Sequence, residues 1–157
     1  MPILNLDDFK NTAGDDSSLL ALDVGTKTIG LAVSSGLRIS ASSLETIFRK
    51  KLKLDAEIIF KYYNEYECSG LIVGWPLEMD GTAGRRCQGV RDFTLALLNI
   101  YDAPVLFVDE RMSSAEAEQY MIETLDMSRQ KRKKNIDKMA AQIILTNALI
   151  LLKRSDI

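Results

Sequence analysis

The amino-acid sequence predicts an α/β fold on one mixed, five-stranded sheet, in which an antiparallel meander is followed by parallel strands and helices cover both faces. Three observations predict it. Leu19 to Val33, LLALDVGTKTIGLAV, holds two apolar runs separated by a Gly-Thr turn, which reads as paired strands. Leu71-Ile72-Val73-Gly74 is short and continuously apolar, as in strands buried on both faces of a parallel sheet. Between and after these runs, apolar residues recur at helical spacing.

Taken in order, residues 1–18 read as a polar, poorly ordered lead-in with one short turn around Leu4 to Phe9, and residues 19–157 as a single domain. Strands are expected at Leu19 to Asp23, Ile29 to Ser34 and between Arg38 and Ile47. Leu54, Ile58, Ile59, Tyr62, Tyr63 and Tyr66 mark a helix from Leu52 to Cys68, ahead of the Leu71 strand. Val90, Phe93, Leu97 and Leu98 mark another from Arg86 to Tyr101, and Pro104 introduces the strand Val105 to Asp109. Ser113 and Glu116 form a capping box for a helix running to about Leu125. A basic linker is expected next, before a last helix from Asn135 that carries Ile136, Met139, Ala140, Ile143, Ile144, Ala148 and Leu151. No internal repeat, low-complexity segment or long linker divides the chain.

Composition excludes several chemistries. With no histidine in 157 residues, Ser-His and Cys-His catalysis and imidazole metal sites are ruled out. Cys68 and Cys87 have no CxxC spacing and read as packing residues in a reducing compartment. Carboxylates, lysines, arginines and hydroxyls remain, and carboxylate sites select hard cations such as magnesium or manganese. The net charge is −2, so affinity for nucleic acid must come from a local patch. No run approaches the length of a membrane span, and the N-terminus lacks a basic start followed by an apolar stretch, so the cytoplasm is the expected compartment and no membrane a partner.

Asp23 stands at the tip of a buried strand, where an acid is hydrogen-bonded, paired or metal-bound because isolated charge is costly to bury. The turn Gly25-Thr26-Lys27-Thr28 adds backbone N–H groups, hydroxyls and an ammonium suited to phosphate; the other reading is an ordinary hairpin opened by Asp23. Ligands in open α/β sheets gather beyond the carboxyl ends of the strands. Asp23, Gly74-Trp75-Pro76 and Asp109-Glu110-Arg111 all fall there. Asp137 is expected in the first turn of the last helix, on a face with Ala141, Ile144 and Ala148. There it either serves the helix macrodipole or joins the other acids, which small Ala140 and Ala141 would permit by letting the helix approach the sheet.

Four blocks resemble, in order, those of the YqgF family, also called RuvX and assigned to pre-16S rRNA processing. They are DVGTKTIGLAV at Asp23 to Val33, IVGWPLEMDGT at Ile72 to Thr82, VDERMSSAEAE at Val108 to Glu118 and KKNIDKMAAQIIL at Lys133 to Leu145. The likeness runs from about Leu19 to Leu152 and implies a ribonuclease H-like fold. It also implies a nuclease site made of Asp23, Asp109 or Glu110, and Asp137. Trp75 replaces a residue that the family pattern makes aliphatic, and the acidic N-terminal extension lies outside the pattern.

In-line phosphodiester hydrolysis needs an activated water and a stabilised leaving oxygen, and two Mg2+ or Mn2+ ions held by clustered carboxylates supply both. Asp23, Glu110 and Asp137 are the expected ligands, with Glu110 preferred to Asp109 for its reach because the apolar run Val105 to Val108 leaves the alternation undecided. Arg111 either steers phosphate or neutralises the acidic pair. Lys27, Arg85, Arg86, Lys131, Arg132, Lys133 and Lys134 are the expected contacts to nucleic acid, recognised by shape and backbone. The expected substrate is pre-rRNA, with branched DNA at a Holliday junction as the alternative and a catalytically silent RNA-binding scaffold as the rival of another class. An actin-like phosphate loop is a further reading of Asp23 to Thr26, but such proteins need two domains around a cleft. Monomer and homodimer remain open.

Overall fold

In the computed structural model, residues 3–77, 80–109 and 129–154 are described, with side chains described for these except 129–138 and 154. Glu110, Arg111 and the predicted Ser113 to Leu125 helix lie outside the described residues. The elements are α1 (Leu6–Ala13), β1 (Leu19–Val24), β2 (Thr28–Ser34), β3 (Ala41–Phe48), α2 (Leu52–Glu65), β4 (Gly70–Trp75), α3 (Arg85–Ile100), β5 (Val105–Asp109) and α4 (Arg129–Arg154). The five strands lie in the order β3-β2-β1-β4-β5. β1–β2 and β2–β3 are antiparallel, whereas β1–β4 and β4–β5 are parallel, so the predicted mixed sheet is present.

Strand alternation sorts the core into two layers. Leu20, Leu22, Leu71, Val73 and Val105 face α2 and α3, where Ile59, Phe60, Val90, Phe93 and Leu97 meet them. Leu19, Ala21, Ile72, Leu106 and Val108 face the opposite way, against α1 and α4. The buried stripe of α2 is Ala56, Ile59, Phe60 and Tyr63, while Leu54 and Tyr66 of the predicted stripe are 45% and 41% exposed. In α4 it is Leu152 that is buried, and Leu151 is 38% exposed.

The lead-in is ordered, contrary to expectation. Asn5 caps α1 by accepting from the Asp8 N–H at 2.8 Å, and Phe9 is fully buried. The ring of Phe9 fills the space that Gly70 leaves, so close that a Cβ there would stand 2.6 Å from the ring. Leu4 N–H also bonds the Val105 carbonyl at 2.8 Å, laying the N-terminus along the outer edge of β5. Arg38 completes the attachment. Its guanidinium donates to the carbonyls of Ala13, Gly14 and Ser17, including acceptors left open at the end of α1. Burial lowers the pKa of Arg38, opposed by Asp15 and Asp16. Polar composition concealed this segment because one aromatic ring and one distant arginine hold it.

The basic segment is likewise not a linker. Residues 129–134 form the first turns of α4, because Lys, Arg and Gln are good helix formers and no Gly or Pro interrupts them.

Candidate active site at the carboxyl edge of the sheet

Asp23, next to last in β1, is half-buried on the face that α4 covers. It pairs in register with Gly30 of β2. A Cβ on Gly30 would lie 3.6 Å from the Asp23 Cβ and 3.6 Å from the Ala141 Cβ, so α4 crosses this strand pair immediately beside the acid. Farther along α4, Leu149 and Leu152 line a cavity with Gly14 and Arg38 at the other end of β1. The helix therefore runs antiparallel to β1, and position 137, one turn before Ala141, lies toward the carboxyl edge. Asp137 belongs to the third turn of α4 and not the first. The macrodipole acts within the first turn, so it no longer accounts for an acid at this position.

Asp109 takes the other side. It pairs with Trp75, and both continue the alternation of Val73 and Phe107 toward the α2–α3 face. Trp75 packs on Phe107 with ring centroids 4.5 Å apart, which answers what this residue of the second block meets. Among the described residues no three acids converge in a group that could hold a metal; of the predicted set, only Asp23 and Asp109 have described side chains.

The β1–β2 turn is tied down from inside. Gly25 N–H bonds the Thr28 carbonyl at 2.8 Å, so this amide is used in closing the hairpin. Arg49 bonds the Gly25 carbonyl at 2.7 Å through its guanidinium and the Lys27 carbonyl at 2.8 Å through its backbone N–H. Arg86 reaches the Val24 carbonyl at 3.2 Å. Lys27 and Arg85 are exposed at the same edge. Arg49 was not singled out in the sequence, although Arg49-Lys50-Lys51 closing a strand was a visible signal.

A sequence profile of the RuvX family, described as Holliday junction resolvase, matches residues 17–150. The chain belongs to the RuvX family. RuvX relatives include a protein of Rhodospirillum rubrum, 40% identical over 154 residues that cover 98% of this chain and 96% of that protein. Another, from Ruegeria pomeroyi, is 43% identical over 133 residues, covering 85% and 86%. Both carry the name "Putative pre-16S rRNA nuclease". Among solved structures, Thermus thermophilus RuvC in complex with a Holliday junction substrate matches with TM-score 0.51 and 15% identity, over 86% of this chain and 94% of that one. A second Thermus thermophilus RuvC structure matches at TM-score 0.52 and 12% identity, over 88% and 96%. At such identities these structures bear on fold alone, and this RuvX chain has the ribonuclease H-like fold of RuvC. Among the described residues, no helix is long and apolar enough to cross a membrane.

Proposed function

We propose that this chain is a metal-dependent nuclease that hydrolyses phosphodiester bonds in maturing the 5′ end of pre-16S rRNA in the cytoplasm. The observation that carries the reading is the placement of Asp23 at the carboxyl edge, on the face crossed by the helix that bears Asp137. Asp109 shares the opposite face with Trp75, which leaves Glu110, with its longer reach, as the third acid of the proposed set. An all-oxygen donor set in a chain without histidine fits a hard divalent cation, Mg2+ or Mn2+, held by Asp23, Glu110 and Asp137. When bound, such ions supply a nucleophile at neutral pH and neutralise charge on the leaving oxygen.

The remaining work falls to the chain. Lys131, Arg132, Lys133 and Lys134 would draw the polyanion from one side of the edge, and Arg85 and Arg86 from the other. Lys27 would meet the strand at the turn between them, and Arg111 is proposed to steer a phosphate beside the acids.

The relatives' name favours pre-rRNA, whereas the family description favours a Holliday junction as a second reading. Cleavage of both substrates by purified protein, with and without Mn2+, tests these readings. Release of the mature 5′ end supports the proposal, resolution of the junction alone supports the alternative, and binding without cleavage of either would leave a silent RNA-binding scaffold.

A further inference from the structure

A cavity of about 310 Å³ opens at the carboxyl edge on the sheet face opposite Asp23. Val24 and Val90 line it together with the side chains of three arginines, Arg49, Arg85 and Arg86, and its surface is mostly apolar. No carboxylate lines it among the described residues. The hydrogen bonds to Val24 and Gly25 occupy one donor each of Arg86 and Arg49, of the five that a guanidinium has. Arg49 is also held with its guanidinium carbon 4.8 Å from the centroid of the Phe93 ring, which fixes its direction. Among the described lining residues no acid offsets these three positive charges, and a bound anion would do so.

Gly89 adds an independent observation. It lines this cavity from within α3, and a Cβ there would meet nothing within 4 Å. A helix-interior glycine costs about 1 kcal/mol relative to alanine. Among the described residues no close packing contact requires glycine here, and a larger side chain at this position could enter the hollow that it lines. The volume lies at the lower end of the roughly 300–1,000 Å³ typical of small-molecule sites and exceeds what a bare phosphate fills.

We propose that this cavity takes one unstacked nucleotide of the substrate strand, next to the one cleaved. Its phosphate sits among the three guanidinium groups, and its sugar and base lie against Val24 and Val90. Val24 adjoins Asp23 in β1, so a strand crossing the edge presents one phosphate to each face. This assignment rests on the nuclease reading and makes the α3 face a subsite that holds the strand in register.

Isothermal titration of the full chain in EDTA reads binding apart from cleavage. Adenosine and cytidine 5′-monophosphates should bind saturably, at least about tenfold more tightly than inorganic phosphate or the free nucleosides, a difference of about 1.4 kcal/mol. Gly89→Leu, which fills the hollow with a better helix former, should lose this binding, and Arg85→Gln should weaken it with the fold unaltered by circular dichroism. Equal affinity for phosphate and nucleotide would overturn the proposal, as would wild-type nucleotide binding by Gly89→Leu. If Gly89→Leu fails to fold, undiminished binding by Arg85→Gln overturns it instead. Nucleotide binding with the expected variant losses, in a protein that cleaves neither RNA nor DNA, supports the cavity while refuting the nuclease reading.

Discussion

Ala141 of α4 lies over the strand pair that carries Asp23, with only the missing side chain of Gly30 between them. An alanine at Gly30 would make ordinary contacts at 3.6 Å, whereas a larger side chain would push the helix off the sheet. The close approach of α4 is thus set by two small residues, and it brings the backbone of the Asp137 helix beside the acid of β1.

Asp23→Asn should lower cleavage by about a hundredfold or more while leaving nucleic-acid binding and the far-UV spectrum nearly intact, because the amide keeps the shape and loses the charge that binds metal. Full activity would refute the metal-site reading. Glu110→Gln should do the same and Asp109→Asn far less, since Asp109 shares the face of Trp75 and not that of Asp23. Equal losses in both would refute the preference for Glu110 over Asp109.

Activity should require Mg2+ or Mn2+, vanish in EDTA and fail with Ca2+, whose larger and looser coordination shell misplaces the attacking water. Zinc dependence would contradict an all-oxygen site. Because the chain has no histidine, the rate should climb on the alkaline side without a titration assignable to imidazole. A pH–rate profile with each metal checks both statements.

Replacing Lys131, Arg132, Lys133 and Lys134 with Gln should weaken binding and flatten its salt dependence. Each lost phosphate contact lowers the slope of log K against log salt by roughly 0.9 for duplex DNA and about 0.7 for single strands. Cleavage at saturating substrate should change much less, because none of the four is proposed to hold metal. An unchanged slope would move the binding surface to Arg85, Arg86 and the turn at Lys27.

Phe9→Ala should destabilise the protein by about 3–5 kcal/mol, as for other buried aromatics. Gly70→Ala should also destabilise, since its Cβ would meet the Phe9 ring at 2.6 Å. In the Phe9→Ala background the same Gly70→Ala change should become nearly neutral. Urea unfolding of the two single variants and the double variant measures this coupling, and additive losses would contradict it.

Stability should decline as pH rises from about 9 to 12. Burial pushes the Cys68 thiol from 9.0 to about 12, and burial with Cys68, Tyr101 and Asp102 nearby pushes the Tyr63 phenol from 10.0 to about 12. The unfolded chain therefore releases these protons at lower pH than the folded one, and the stability they contribute below pH 9 is lost as pH approaches 12. Denaturation midpoints at pH 8, 9.5 and 10.5 test the direction, and Cys68→Ala should remove part of the slope.

Much of the fold was legible because its elements have local causes. Apolar runs bounded by turns placed all five strands, and helical spacing placed α2 and α3 to within a few residues, whereas α4 begins at Arg129 and not at Asn135. The stripe of α2 was displaced because Tyr62 and Tyr66 are apolar by composition yet amphipathic, whereas Phe60 carries the burial. The basic start of α4 resembles a linker by its charge, but the helix propensity of Lys, Arg and Gln prevails.

By itself the sequence determined the chemistry available: carboxylates without histidine, acids at strand ends, and cations concentrated near the Asp137 helix. Those properties belong to residue types and short spacings. Only the tertiary structure decided that Asp109 and Asp23 lie on opposite faces, since the uniformly apolar Val105 to Val108 run becomes two-sided only when α4 covers one face and α3 the other. It alone brought Arg49 to Arg85 and Arg86, residues whose proximity depends on the crossing of β3, β1 and α3. It also ordered the lead-in, because the burial of Phe9 and the bonds from Arg38 exist only once distant strands have come together.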